Sequence, residues 1–154
     1  MILSLRHEGR MKIFPIIVFC IGCFLWGSCS LPETKEKVCF KNRCIDVEIA
    51  SRKEDLIKGL QFRTSLDKNS GMLFVFPGPD VVRFWMKDTK IPLDMIWMDE
   101  DKKVIFIETD VPPCPGDSCP TYGPLAPSRY VLEINAGCAR RLGISVGGQA
   151  EFRF

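Results

Sequence analysis

Hydrophobic and polar residues alternate most regularly in CIDVEIA (44–50), with Ile45, Val47 and Ile49 on one side and Asp46 and Glu48 on the other. A period of two with one apolar side is the pattern of a half-buried strand. VCF precedes it across a tip at Lys41, Asn42 and Arg43, so the pair predicts a hairpin. Ser51 and Glu54 have capping-box spacing, with acidic Glu54 and Asp55 in the first turn; RKEDLIKGL predicts a short helix ending near Gly59. MLFVF (72–76) is a compact apolar strand stopped by Pro77, Gly78 and Pro79. VVRFWM (81–86), LDMIWM (93–98) and KVIFIET (103–109) read as further strands, the last two joined by an acidic turn over 99–101. RYVLEIN (129–135) predicts another strand, AGCARRLG (136–143) a short helix with Asn135 as its N-cap, and QAEFRF (149–154) a closing strand. The sum is a mostly β (α+β) domain of about seven or eight short strands and two short helices, closed as a small barrel or sandwich.

The N-terminal pattern is different. Residues 13–26, IFPIIVFCIGCFLW, carry no charge and follow Met11 and Lys12. Such a run is too short to span a bilayer as a helix and suits the apolar region of a secretory signal. Gly27 and Ser28 precede Cys29, an arrangement that resembles a lipoprotein signal whose cysteine receives lipid, although Trp26 stands where leucine is usual. The alternative is an anchor that is never cleaved. The expected organisation is a signal over 1–28 with Met11 as the start, lipid on Cys29, a tether over 30–36 and one globular domain over 37–154. Either way the domain is exported to the cell envelope and held at a membrane.

Export changes how charge and cysteine are read. Three of the 21 basic residues and one of the 19 acidic ones precede Ser30, which leaves 18 of each in the mature part. A neutral domain has no basic surface to track a phosphate backbone, so nucleic acid is not an expected partner. Of the eight cysteines, Cys20 and Cys23 lie in the apolar run. Cys39/Cys44 and Cys114/Cys119 form two C-x4-C pairs, which in an oxidising compartment predict two local disulfides. A single zinc on the four thiolates is the competing arrangement; no metal and no cofactor is expected. Cys138 reads as a small core residue on the second helix. The one histidine, His7, precedes the signal, so a mature domain has no histidine triad, no Cys–His pair and no histidine metal ligand.

The densest motifs are KGLQFRTSL, GMLFVFP, FWMKDTKIPLDMIWMD, the CPGDSCPTY loop and RYVLEINAG. In content and order they resemble domain-of-unknown-function family 192, over about Val38 to Phe154. The resemblance implies a compact β-barrel-like fold, often exported, with no established activity. Gln61 and Asp88 depart from the family's usual methionine and asparagine. An amide usual at position 88 argues against a catalytic carboxylate there.

Charges inside FWMKDTKIPLDMIW (84–97) frame the functional question. In strand alternation Asp94 shares a face with Pro92, Ile96 and Met98, where a carboxylate needs a partner. Arg63, Arg83 and Lys87 are the cationic candidates, with Thr89 and backbone amides as weaker ones. Trp85 shares a face with Arg83 and can floor a pocket, while Asp88 and Thr89 read as a turn. Glu48 and Glu133 read as solvated strand positions. The expected function is a non-catalytic module binding a small polar or glycan-like ligand through Arg63, Trp85, Lys87, Asp88 and Asp94. One alternative is a glycan hydrolase or lyase using Asp94 with Glu133 or Asp88 as acid and base. Another is an envelope assembly factor acting through the 110–128 loop.

Overall fold

The computed structural model describes residues 35–154; the expected signal, Cys29 and the tether up to residue 34 lie outside the described residues. The described chain forms β1 (Lys37–Phe40), β2 (Arg43–Ala50), α1 (Lys53–Lys58), β3 (Ser70–Asp80), β4 (Phe84–Trp85), β5 (Leu93–Met98), β6 (Val104–Val111), β7 (Thr121–Tyr122), β8 (Ser128–Asn135), α2 (Cys138–Leu142) and β9 (Ala150–Arg153). The fold is mostly β, as the alternation predicts. No helix among the described residues is long and apolar enough to cross a membrane.

Seven strands make one sheet in the order β6-β5-β8-β3-β2-β1-β9, and β4 pairs with β7 in a second, two-stranded sheet. The large sheet curls into a half-barrel until its edges meet. Lys103 bridges Gln149, and Val104 and Gly148 are joined by a backbone bond of 2.8 Å. β2 and β3 are parallel, with α1 in the crossover between them; the other pairings are antiparallel.

The curl has two apolar sides. Inside it, Val38, Ile45, Leu73, Ile96, Met98, Leu132 and Ile134 pack with Cys138, Ala139 and Ile144, so α2 plugs the interior. Outside it, Met72, Phe74, Leu93, Met95, Trp97 and Val131 are covered by Leu56, Leu60, Phe84 and Tyr122 from α1, its following loop and the small sheet. The central strands are therefore buried on both faces, and all six residues of β5 are buried. Covering both faces of a strand erases the polar half of its alternation.

Several local expectations change. Ser51 does not cap α1; its N-cap is Arg52, with no side-chain cap bond, and Arg52 instead pairs with Asp55 at 2.7 Å. β3 runs on through Pro77 and Pro79 to Asp80, because a register shift after Val75 removes the need for their missing N–H groups. VVRFWM yields only the two residues of β4, since the chain there turns aside to cover the sheet rather than extend it. Asn135 does not cap α2, whose N-cap is Gly137 in a left-handed conformation. Its side-chain amide donates to the carbonyls of Leu66 and Asp67 and pins that loop to the end of β8.

Both disulfides form, Cys39–Cys44 across the first hairpin and Cys114–Cys119 in the proline-rich loop. Their sulfurs are thus not available to the competing zinc arrangement. Two disulfides point to an oxidising, non-cytoplasmic location. Cys138 is buried on α2, and the Arg141 guanidinium donates to its sulfur at 2.9 Å.

Candidate functional site

A carboxylate at Asp94 is expected to seek a cation; it finds backbone amides instead. Asp94 is 0% exposed and accepts bonds from Asp110 N (2.9 Å), Gly137 N (3.1 Å) and Ala139 N (2.8 Å). Asp110 lies in the irregular stretch of β6, between the pairs Leu93↔Val111 and Met95↔Glu108. A bulge leaves backbone groups without a ladder partner, and a helix start leaves others. Asp94 satisfies both kinds at once. It is a brace between β5, the β6 bulge and α2.

Its neighbour on β8 has no such partners. Glu133 is opposite Met95 on β5 and Met72 on β3, so it shares their outward face, whereas Asp94 is opposite Ile134 and faces inward. Glu133 is 4% exposed, and burial alone pushes its carboxyl up to about 8, with no charge or hydrogen bond acting on it. It is an uncharged acid at neutral pH, held among apolar groups. The solvated position expected of it is corrected by the covering of that face.

Glu133 lies at a cleft of about 270 Å³ lined also by Leu56, Leu60, Phe74, Phe76, Trp85 and Thr89. The sheet supplies the floor through β3 and β8; α1 and the 60–61 segment form one wall, and residues 82–85 the other. That second wall is fixed firmly. The Trp97 indole donates to Val82 O at 3.0 Å, and Arg83 donates to Thr121 Oγ1, Thr121 O and Gly123 O. Gly123 has φ +132, and a Cβ there would approach Val82 O at 2.8 Å and the Trp97 ring at 3.2 Å. Phe84 meets Phe74, Phe76 and Trp97 edge-on at 4.8, 6.4 and 5.8 Å, so the aromatic wall is locked from behind. Trp85 remains 47% exposed at the rim.

The other expected site residues divide around this cleft. Lys87 does not line it but lies 5.7 Å from the Trp85 ring centroid and pairs with Asp117 at 3.1 Å. Asp88 adopts φ +59; its carbonyl accepts from Phe62 N and its N–H donates to Cys114 O, so its backbone ties two loops together. Asparagine and aspartate tolerate that conformation best among residues with side chains. Arg63 does not line the cleft and forms a two-pronged pair with Glu48, one arm at 2.7 Å. It lines a larger, polar cleft of about 600 Å³ with Asp46, Glu48, Asp67 and Ser70. Two pairs of charges there answer one another, Arg63 with Glu48 and Lys35 with Asp46, while Glu36 and Asp67 add further acidic groups to the lining. Of the expected set, only Trp85 lines the aromatic cleft. Glu133, Thr89, Phe76 and Phe84 complete it without having been singled out as its ligand residues.

The profile of DUF192, described as "Uncharacterized ACR", matches residues 36–152. The chain belongs to the DUF192 family. Two solved structures share the fold. One is a protein of unknown function from Novosphingobium aromaticivorans DSM 12444, at 35% identity and TM-score 0.68, covering 76% of this chain and 83% of that one. The other, from Sinorhizobium meliloti 1021, is provisionally described as a transcription regulator; it matches at 30% identity and TM-score 0.68 over 77% of this chain and 92% of its own. No curated protein matches. In this DUF192 chain, Asp88 occupies a left-handed position, one that aspartate and asparagine tolerate better than most side chains.

Asp94 and Glu133 on opposite faces cannot flank one substrate, which removes the geometry a two-carboxylate hydrolase needs from that pair.

Proposed function

We propose that this DUF192 protein is an exported envelope domain, anchored by lipid on Cys29, that binds a small ligand in the cleft between α1, β4 and the sheet. The observation that carries this reading is Glu133, a carboxyl only 4% exposed that lines an aromatic-walled concavity. Burial disfavours its charged form, and a polar group of a ligand in the cleft would give it a partner. Trp85 is half exposed at the mouth, with the Lys87 ammonium over its ring, and such an aromatic surface suits the flat side of a sugar or another ring. The two disulfides support export. The chain from Ser30 onward has balanced charge, which does not favour the nucleic-acid contacts of a transcription regulator such as the Sinorhizobium neighbour is described to be.

The test is to follow the Trp85 indole N–H by NMR and the thermal midpoint while adding mono- and disaccharides, amino sugars and peptidoglycan fragments. A binding compound shifts the Trp85 signal and raises the midpoint, and the rise in midpoint disappears in Trp85→Ala. If no compound moves either observable, the reading fails.

A further inference from the structure

The chemistry of the cleft narrows what it can hold. We infer that it takes a small molecule with one primary ammonium group on a ring-sized body, the nitrogen against Glu133 and the body along Phe84 and Trp85. This rests on the binding reading above and names the class of ligand.

Three observations converge on it. The first is size: about 270 Å³ is at the small end of ligand pockets, which suits one ring with a short arm. The second is the wall. Phe74, Phe76, Phe84 and Trp85 present aromatic surface, whose negative π faces attract cations and reject anions. The third is the carboxyl. Glu133 is the acidic side chain lining the cleft, and no cation acts on it. Its flanking strands present Met72 and Met95, which carry no charge. Two charged groups do line the cleft. Arg83 has its guanidinium committed to Thr121 and Gly123, and Lys58 is exposed on α1. Neither forms an ion pair with Glu133, which itself lines the cleft and so faces whatever occupies it. A primary ammonium also has three donors, enough to reach the carboxylate and a neighbour such as Thr89 together.

Binding would then be linked to proton release. The empty cleft holds Glu133 protonated up to about 8, whereas an ammonium favours the ionised form. One proton leaves Glu133 for solvent as the ammonium arrives, and the ligand keeps its own.

The experiment uses a matched pair of probes, cyclohexylmethylamine and cyclohexylmethanol, titrated into the mature domain by calorimetry from pH 6 to pH 9. The amine's affinity is expected to rise about tenfold per pH unit below 8 and to level above it. The alcohol's affinity should be flat. In Glu133→Gln the amine should lose its advantage while the alcohol still binds. Because the pH series on the wild-type chain is read alone, the test survives any folding defect of the variant. An amine affinity that is flat with pH, or equal to the alcohol's at pH 8, overturns the ammonium assignment but leaves the cleft a binding site. Failure of both probes to bind overturns the ammonium assignment, while the saccharide titration above decides separately whether the cleft binds a ligand.

Discussion

Asp94 and Glu133 lie one register position apart on paired strands and face opposite sides of the same sheet. One carboxyl is wrapped by three amides, the other by apolar side chains. Their environments assign them different work. The inward group holds structure together, and the outward group is poised for something that arrives.

Glu133→Gln should reveal the cost of the outward group. The folded-state value of about 8 lies above the ordinary carboxyl value of 4.5. Below pH 4.5 both states are protonated and nothing is lost. Between pH 4.5 and 8 the unfolded chain ionises while the fold does not, so stability falls by about 1.4 kcal/mol per pH unit and then levels off. Urea unfolding should therefore show variant and wild type alike near pH 4, with the variant ahead by on the order of 4 kcal/mol at pH 8. Parallel curves across that range would show that Glu133 ionises freely in the folded protein.

Asp94→Ala should be destabilising at any pH where the protein folds. It strands three backbone N–H groups in the β6 bulge and at the start of α2, at a cost on the order of 3 kcal/mol or more. Hydrogen exchange should quicken first at Asp110, Gly137 and Ala139. Ligand binding in the cleft should survive in conditions where the variant remains folded.

Asp88 tests backbone rather than charge. With φ at +59, Asp88→Asn should be neutral or slightly stabilising, and Asp88→Val should cost about 1–2 kcal/mol. Denaturation midpoints of the two variants separate these outcomes. A tolerated valine would mean that the left-handed turn is not required.

Removing either disulfide by paired Cys→Ser substitution should cost about 2 kcal/mol, since both loops are short. The two losses should differ in reach. Cys114 accepts from Asp88 N and donates to Met86 O, so Cys114→Ser/Cys119→Ser should also disturb Trp85 fluorescence. Cys39→Ser/Cys44→Ser should leave that signal unchanged.

Lipid on Cys29 predicts that a radiolabelled fatty acid is incorporated into the full chain and lost in Cys29→Ser, with the variant released from the membrane fraction. Incorporation that persists in the variant would place the lipid elsewhere.

Much of the fold was legible because strand periodicity survives translation into structure. Residues 93–98 and 44–50 appear almost as the sequence predicts. The candidate site was harder to see, and for a physical reason. Periodicity tells which residues share a face, not how many faces are covered. YVLEIN has apolar residues at both parities, the mark of a strand buried on two sides, and Glu133 stands inside that run. Asn135 has the residue type and position of a helix N-cap, yet its amide bonds a loop carbonyl pair from residues distant in sequence. The burial of Asp94 was readable from its apolar face. Its partners were not, since they belong to a bulge and a helix start that only the folded topology brings together.

β1 is an interior strand, bonded to β2 on one side and β9 on the other, with Lys37 opposite both Asp46 and Arg153. A chain held from upstream of Lys37 would thus transmit load into two ladders at once. Traction applied there cannot peel the first strand away as it could peel an edge, because β9 holds its other side.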